Sequence, residues 1–366
     1  MTITSEFAEK QRRVNEFLDA KGLDGLLLGR SENFAWFTCG GDCFVNIAAE
    51  TGVGALLLRR DGATLITNNV ERPRLTDEEL RGLGLREEIR DWWRDDLPPI
   101  VADLTRGQQI AADIALPGAA FLAGDIARLR ASLTPEEVAR YRALGKAVGE
   151  ALGVAAMGVQ PGMTENDVAA AIAHEHFRRG IQPIVVLVAA DERLLKYRHP
   201  LPTDNPVKRA VMLVVCGRRQ GLIVSATRIV HFGPVPADLQ KKHQAVMAVD
   251  AALISATRVG ARIGDIFQAG LAAYAAQGFA NEWQLHHQGG PNGYAARDYR
   301  ATAEIDDTVQ PFQPFAWNPS IAGTKSEDTL IATPSGPEII SLSPGIPTEE
   351  IRSGGLAVHR SHIIVR

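Results

Sequence analysis

Two kinds of hydrophobic pattern follow one another in the first third of the chain. Apolar residues recur at helical spacing over residues 7–20, and the leucine run at 25–29 indicates a short buried strand. Residues 54–59 and 63–67 flank a turn at 60–62 and predict a β-hairpin. We expect a small mixed sheet with helices, which ends at about residue 132 after the proline- and glycine-containing stretches near residues 98 and 117.

Helix-start signals mark the beginning of the second part of the chain. Thr134, Pro135 and Glu137 combine a hydroxyl cap, a proline at the first helical position and an acidic residue that can close a capping box. They predict a long helix to about residue 157. Thr164 and Asp167 repeat the signal and predict a second helix, which stops at Gly180.

Three strands and two further helices are predicted after Gly180. The strands are expected at residues 183–190, 210–216 and 222–229, and the helices at 238–257 and 265–277. The segment 159–163 before the second helix aligns with 259–263 before the fourth, at an offset of 100 residues. This similarity predicts an internal duplication with the functional site between its halves.

The composition limits the classes of protein to which the chain can belong. Its 366 residues are 45% hydrophobic and 22% charged, which is typical of a soluble globular protein of about two domains. The 39 Lys and Arg against 43 Asp and Glu leave no basic surplus for nucleic acid. No apolar run approaches the ~20 residues that cross a bilayer, and the first residues lack the apolar stretch of a secretory signal.

The cysteines agree with a reducing compartment. Cys39, Cys43 and Cys216 form neither an even disulfide set nor the spacing of a zinc site. We therefore expect a cytoplasmic protein that acts on a small molecule, without a nucleic-acid or membrane partner.

Polar residues interrupt four apolar segments of the second part, and their burial is costly unless they have a role. The four segments are residues 197–203 with His199, residues 225–228, residues 283–290 with His286, His287 and two glycines, and residues 315–329 with Asn318 and Glu327. Glycine permits close approach of the backbone to a ligand.

The order and spacing of these segments resemble the C-terminal domain of the pita-bread (M24) family, which includes methionine aminopeptidase, aminopeptidase P, prolidase and creatinase. His287-Gln-Gly-Gly resembles the family's His-Gly-x-Gly motif, and Lys325-Ser-Glu-Asp resembles its Arg-x-Glu-Asp motif. Residues 33–38 and the hairpin around Asp61 resemble the N-terminal domain of the aminopeptidase P and creatinase branch. The resemblance implies an α+β fold with a smaller α/β domain at 1–132 and a pita-bread catalytic domain at 133–366, which has an internal pseudo-twofold.

The resemblance also implies that most metal ligands of the family are missing. The two aspartate positions fall on Val215 and Ala226, and a glutamate position falls on Asn318. Of the five usual ligands only His287 and Glu327 remain. Because two divalent ions ~3.5–4 Å apart need bridging carboxylates, we expect no metal and no other cofactor.

Creatinase is the informative relative because it hydrolyses a C–N bond without metal. By this resemblance His199 is the general acid and base, Glu327 and His287 orient substrate and water, and Arg297 anchors a carboxylate. Thr227 stands where creatinase has a second carboxylate. An imidazole with an ordinary pKa of ~6.5 suits proton transfer near neutral pH.

Other residues are candidates for substrate binding. They are Thr227, Asn318, Trp283 and Trp317 from the second part and, across the interface of a homodimer of the kind the family forms, Phe44 and Asn46. The tryptophans either wall an aromatic pocket or are plain core, and Asn318 either satisfies the backbone or binds substrate. Of the adjacent His286 and His287, strand alternation allows only one to face the site, and we favour His287.

The leading hypothesis is a metal-independent, creatinase-like hydrolase. It cleaves an amide- or amidine-type C–N bond of a small carboxylate-bearing or aromatic metabolite. Three alternatives stay open: a non-catalytic pita-bread binding protein, a lyase that uses the same residues, and a mononuclear metal enzyme with His199, His287 and Glu327 as ligands.

Overall fold

The computed structural model describes residues 3–366 of the chain, and side chains from residue 5 onward. These residues form two compact units, and the boundary between the units lies between Glu137 and Val138. Within the described residues, every helix is too short or too polar to form a membrane span.

The first unit is built around a mixed sheet of six strands within residues 3–137, in the order β4-β3-β2-β1-β5-β6. Neighbours β1, β2 and β3 pair antiparallel, and the remaining pairs are parallel. Its strands are β1 (Gly25–Arg30), β2 (Thr51–Arg59), β3 (Gly62–Asn68), β4 (Arg86–Arg90), β5 (Ile110–Ala112) and β6 (Ala119–Phe121). Its helices are α1 (Ile3–Lys21), α2 (Ser31–Phe37), α3 (Arg72–Arg74), α4 (Leu97–Leu104) and α5 (Ala123–Leu129).

The core of the first unit forms where the sequence predicts it. The leucines of β1 and β2 face each other in register, Leu26 with Leu58 and Leu28 with Leu56, and all four are fully buried. Burial of each leucine side chain contributes about 1.5–3 kcal/mol. The hairpin between β2 and β3 turns at Gly62, whose φ of 126° suits glycine, as the pattern predicts.

The second unit has two helix pairs and four sheets among the described residues. The helices are α6 (Pro135–Gly158), which begins in the first unit, α7 (Glu165–Phe177), α8 (Glu192–Lys196), α9 (Ala237–Ala256) and α10 (Ile263–Ala276). Sheet one has the order β18-β9-β8-β7, sheet two has the order β10-β11-β14-β15, and β12-β13 and β16-β17 are two-stranded ribbons.

The strands of the second unit are as follows: β7 (Gln182–Ala190), β8 (Ala210–Arg219), β9 (Leu222–His231), β10 (Gly289–Pro291), β11 (Gln313–Trp317), β12 (Ser320–Ile321), β13 (Thr324–Lys325), β14 (Asp328–Thr333), β15 (Gly336–Ile339), β16 (Thr348–Ser353), β17 (Leu356–Ser361) and β18 (Ile364–Val365).

Local signals in the sequence set the starts of the first helix pair. Thr164 and Asp167 form a capping box at α7, because each side chain accepts from the backbone N–H of the other. Thr134 and Glu137 exchange the same pair of bonds at α6. Both predictions are confirmed.

The helix pairs α6–α7 and α9–α10 occupy equivalent places in the element order. An isolated antiparallel bridge joins Thr164 to Pro206 just before α7, and a second joins Arg262 to Thr308 just before α10. The two bridges lie close to the 100-residue offset of the sequence repeat. This correspondence fits the predicted duplication.

Candidate active site

His199 lies in the loop between α8 and β8, and its side chain is exposed. Asp191 holds the base of this loop, because its carboxylate accepts from the backbone N–H groups of Lys208, Arg209 and Ala210. The carbonyl of Pro200 also accepts from Val188 N of β7. These bonds place an exposed imidazole on a loop that is anchored beside His199 and at its C-terminal end.

His286 and His287 connect a short 3₁₀ helix, Glu282–Leu285, to β10. Gly289 and Gly290 follow with φ of 98° and 147°. A Cβ at Gly289 would lie 2.2 Å from the carbonyl of Ala316, so only glycine lets β10 pair with β11 here.

Three imidazoles converge at this point. His199 Nε2 and His286 Nε2 are 3.1 Å apart, and one ring nitrogen of each of His199, His286 and His287 lies within 4.8 Å of the others. The rings of His286 and His287 have centroids 4.7 Å apart. The expectation that only one of these two neighbours faces the site is wrong, because they precede the strand and do not follow its alternation.

A chain of polar groups supports His286 from behind. Ser320 Oγ lies 3.1 Å from His286 Nδ1 and accepts a bond from Arg198 Nη1 at 3.1 Å. Arg198 in turn pairs with Glu282 at 2.5 Å. Ser320 and His286 are buried, so the chain fixes the plane of the inner imidazole.

The tautomers of the two imidazoles are coupled through this chain. When Ser320 donates to His286 Nδ1, His286 donates from Nε2 to His199, and Nδ1 of His199 carries the proton. When Ser320 instead accepts from His286 Nδ1, His199 donates from Nε2 to His286 Nε2. Nδ1 of His199 then has a free lone pair. His199 can therefore present either a proton or a lone pair without change of net charge.

All three imidazoles are shifted toward the neutral form. Burial and the charge of Lys325 lower the pKa of His199 and, more strongly, that of His286. Burial and the charge of Arg297 lower the pKa of His287 to about 4. The cluster is therefore uncharged near neutral pH.

A second cluster surrounds Glu327, which is buried just before β14. Its Oε2 accepts from Thr227 Oγ1 at 2.7 Å and pairs with Lys325 Nζ at 2.7 Å. Its Oε1 pairs with Arg297 Nη2 at 3.1 Å. Burial raises the pKa of this carboxyl, but Lys325 and Arg297 outweigh it and lower the pKa to about 2.

A buried charge network fixes the strand that follows Glu327. Asp328 accepts from Arg228 at 3.0 Å and from Arg360 at 2.9 Å, and Arg360 also pairs with Asp250 at 2.7 Å. Burial raises the pKa of Asp250 to about 7 against the opposing effect of Arg360. These bonds tie β14 to β9 and β17 and thereby orient the neighbouring Glu327.

The hairpin β8–β9 determines which side chains accompany Glu327. Cys216 pairs with Ser225, and Ser225 Oγ accepts from Arg297 at 3.3 Å. Thr227 reaches Glu327 from the same strand. Because side chains alternate, residues 214, 216, 225 and 227 share the face that carries the site.

Val215 and Ala226 pair directly with each other and lie on the opposite face of the hairpin. A side chain at Gly217, on this same face, would meet Val148 of α6 and Ile181. The expectation that Val215 and Ala226 stand at ligand positions is therefore wrong by one residue. The hairpin presents Val214 and Ser225 to the site instead.

The sequence model of metallopeptidase family M24 matches residues 139–334, which is more than half of the chain. The chain belongs to this family. No curated protein is significantly similar to the chain.

Solved structures show that this M24 chain has the pita-bread fold. A dipeptidase PepE from Mycobacterium ulcerans is 20% identical over 99% of this chain and 98% of its own, with a TM-score of 0.78. The prolidase from Pyrococcus horikoshii OT3 is 16% identical over 92% of this chain and 98% of its own, with a TM-score of 0.77. The N-terminal domain of the FACT complex subunit SPT16 from chickpea (Cicer arietinum) is 9% identical over 92% and 96%, with a TM-score of 0.70.

The two tryptophans that the sequence predicts to bind substrate lie in different surroundings. Trp317 is fully buried in the core, where it stacks on Phe315 and donates from Nε1 to Thr257 at 2.9 Å. The expectation that Trp317 walls a pocket is therefore wrong. Trp283 is partly buried and packs edge-on against Phe267, with centroids 5.8 Å apart.

Asn318 is buried, and its Oδ1 has no hydrogen-bond partner among the described residues. Phe44 and Asn46 lie in the loop between α2 and β2 of the first unit. Asn46 is exposed, and its Oδ1 accepts from Ala48 N. The role of Phe44 and Asn46 across a dimer interface stays a prediction.

Sequence reasoning missed four residues of the site. His286 and Ser320 were not assigned a role, and Lys325 was noted only as a match to the family's arginine. Arg300 was also missed; it is exposed, and its charge lowers the pKa of both His199 and His287. The available signal was the spacing of Lys325 and Glu327, which puts two opposite charges beside each other in a buried segment.

Proposed function

We propose that this M24 chain is a hydrolase that cleaves a C–N bond of a small carboxylate-bearing metabolite, with His199 rather than a pair of metal ions as the catalytic group. The observation that carries the proposal is the His199–His286 pair, an exposed imidazole held by a buried one. The chain's membership of a hydrolase family supports the reaction class.

The residues around Glu327 do not fit a dinuclear metal site. An ammonium and a guanidinium already bind both oxygens of this carboxylate. The neighbouring face offers Val214, Ser225 and the amide of Asn318, none of which can bridge two cations. In this proposal, catalysis therefore proceeds without a metal ion at this position.

His199 is suited to move a proton to and from the reacting atoms. In the tautomer with a free Nδ1 it takes a proton from water, which attacks the carbon of the C–N bond. The proton then passes from His199 to the leaving nitrogen, which departs as an amine. His286 accepts a hydrogen bond from His199 Nε2 and positions its ring, and His199 carries the positive charge only until it passes the proton to the leaving nitrogen.

The charges near the histidines favour an anionic group on the substrate. Arg300, Arg297 and Lys325 all act on His199, against the single carboxylate of Glu327. Arg297 and Lys325 are already paired with Glu327, whereas Arg300 forms no ion pair among the described residues. We infer that Arg300 binds the substrate carboxylate and that Arg297 supports it through Glu327.

The proposal is tested by turnover of a panel of N-acyl, N-carbamoyl and guanidino amino acids by metal-stripped protein. We expect release of an amine or ammonia by the wild type and at least ~100-fold slower release by His199→Ala. His359→Gln, an exposed histidine on β17, is the control and keeps full activity.

Reaction in heavy-oxygen water separates hydrolysis from elimination. Hydrolysis places the label in the product, whereas elimination by the same histidine leaves the product unlabelled. Turnover that requires an added divalent ion would contradict the proposal. Tight binding of a panel member without turnover would favour the binding-protein alternative.

A further inference from the structure

We propose that His199, His286 and His287 together bind a single first-row transition-metal ion such as Zn²⁺, and that this ion inhibits the enzyme by occupying His199. Within residues 3–366 these are the only three side chains of histidine, cysteine or acidic type whose ligand atoms converge in this way. The inhibitory effect rests on the proposed function, whereas metal binding itself does not.

The distances between the ring nitrogens suit a tetrahedral ion after a small adjustment. With Zn–N bonds of about 2.0–2.1 Å, neighbouring ligand nitrogens lie ~3.3 Å apart. His199 Nε2 and His286 Nε2 are already 3.1 Å apart, and one ring nitrogen of each of the three histidines lies within 4.8 Å of the others. Because His199 is exposed, rotation of its ring can close the remaining gap.

The side chains that contact the outer nitrogen of His286 are of the kind that supports a metal-bound histidine. When a metal takes Nε2 of His286, the proton of that ring moves to Nδ1 and is donated to Ser320 Oγ. Such a bond from the outer nitrogen is the usual support of a metal-bound histidine. Arg198 and Glu282 hold Ser320 in place.

His287 provides an independent observation that points to a ligand. Its Nδ1 is buried and has no hydrogen-bond partner among the described residues. An unsatisfied buried polar atom is costly. Coordination of the metal through Nδ1 would give this atom the partner that it lacks.

The nearby charges determine which ions bind. Lys325, Arg297 and Arg300 oppose a divalent cation, so hard ions such as Mg²⁺, which need carboxylates, are excluded. Zn²⁺ and Co²⁺ form strong bonds to neutral imidazole and tolerate this setting. The fourth position is then open to an anion. This site is separate from Glu327, whose oxygens are held by protein cations.

The test titrates Zn²⁺ alone into chelator-treated, full-length protein by calorimetry. In parallel, Co²⁺ is added and its visible absorption is recorded, because a four-coordinate ion absorbs far more strongly than a six-coordinate one. We expect one ion per chain and the spectrum of a four-coordinate ion. His199→Gln, His286→Gln and His287→Gln should each weaken Zn²⁺ binding at least ~10-fold, and His359→Gln should not.

Two further measurements separate loss of the Zn²⁺ site from loss of folding. Thermal melts check that each variant folds, and Ser320→Ala, which leaves all three ligands in place, should weaken Zn²⁺ binding by ~10-fold through loss of the outer bond. Absence of Zn²⁺ binding by the wild type, or equal binding by all histidine variants, would overturn the site. Zn²⁺ that binds at the site and raises turnover would overturn its inhibitory role and the metal-free role of His199, but not the site.

Discussion

The Glu327 cluster and the histidine cluster lie in the same unit but differ in how far their polar atoms are satisfied. Both oxygens of Glu327 are occupied by Thr227, Lys325 and Arg297. The histidine cluster has an exposed His199 and an unpartnered nitrogen on His287. A closed set of bonds stabilises structure, whereas ring nitrogens without a protein partner are available for chemistry.

The comparison also explains how the carboxylate of Glu327 can lie buried in the second unit. A buried carboxylate requires positive charge beside it. Here Lys325 and Arg297 supply that positive charge from the chain itself. Glu327 therefore contributes to stability, and we propose that catalysis depends on the histidines.

The largest expected effect is on turnover. His199→Ala should lower kcat by about 10²–10⁴-fold, since it removes the group that transfers the proton. The melting temperature should hardly change, because the side chain is exposed. Turnover and thermal melts of the variant and of His359→Gln measure both quantities. A variant that keeps its kcat would move catalysis away from the histidine cluster.

The second effect is on stability, and here a substitution in the Glu327 cluster should cost more than one in the histidine cluster. Glu327→Gln leaves the buried Lys325 unpaired and should lower the free energy of unfolding by about 3–5 kcal/mol. His287→Gln should change it by less than about 1 kcal/mol, since its Nδ1 has no partner to lose. Urea unfolding of both variants gives the comparison. Equal losses would contradict the distinction between the two clusters.

Acid should lower the free energy of unfolding by protonating Glu327. The pKa of this carboxyl falls from an ordinary 4.5 to about 2 in the folded protein. A depressed pKa contributes stability that is present above pH 4.5 and is lost as the pH falls toward 2, which amounts to about 3 kcal/mol. Unfolding free energies measured across this range should fall more steeply for the wild type than for Glu327→Gln. Parallel curves would exclude Glu327 as the source.

The smallest effect concerns substrate binding. Arg300→Gln should raise KM for a carboxylate substrate by about 10-fold with little change in kcat, because an exposed arginine contributes about 1–2 kcal/mol through a charged hydrogen bond. The esterified or amidated substrate should bind both proteins equally. A fall in kcat without a change in KM would place Arg300 at the reacting atoms instead.

Features that depend on local sequence could be predicted, and those that depend on register could not. The capping boxes at Thr134 and Thr164 need only residues three apart, so the starts of α6 and α7 follow from the sequence. The face of a strand changes with a shift of one residue, and this shift displaced the expected ligand positions onto Val215 and Ala226.

The candidate site also combines residues that could be predicted from the sequence with residues that could not. His199 could be predicted from its family frame, but its partner His286 could not, because the turn before β10 breaks the alternation that the prediction assumed. Trp317 looked functional because it lies among motif residues. Its burial and its bond to Thr257 depend on tertiary packing that the sequence does not display.

The central claim is that the histidine cluster performs the chemistry without metal at the family's usual position. It is tested most directly by the turnover rate of wild-type protein whose metal content has been reduced below detection by a chelator and checked by elemental analysis. The account predicts that this protein keeps its full rate and that the kcat of His199→Ala is at least ~100-fold lower. A rate that falls to background and returns when Mn²⁺, Co²⁺ or Zn²⁺ is added would contradict it.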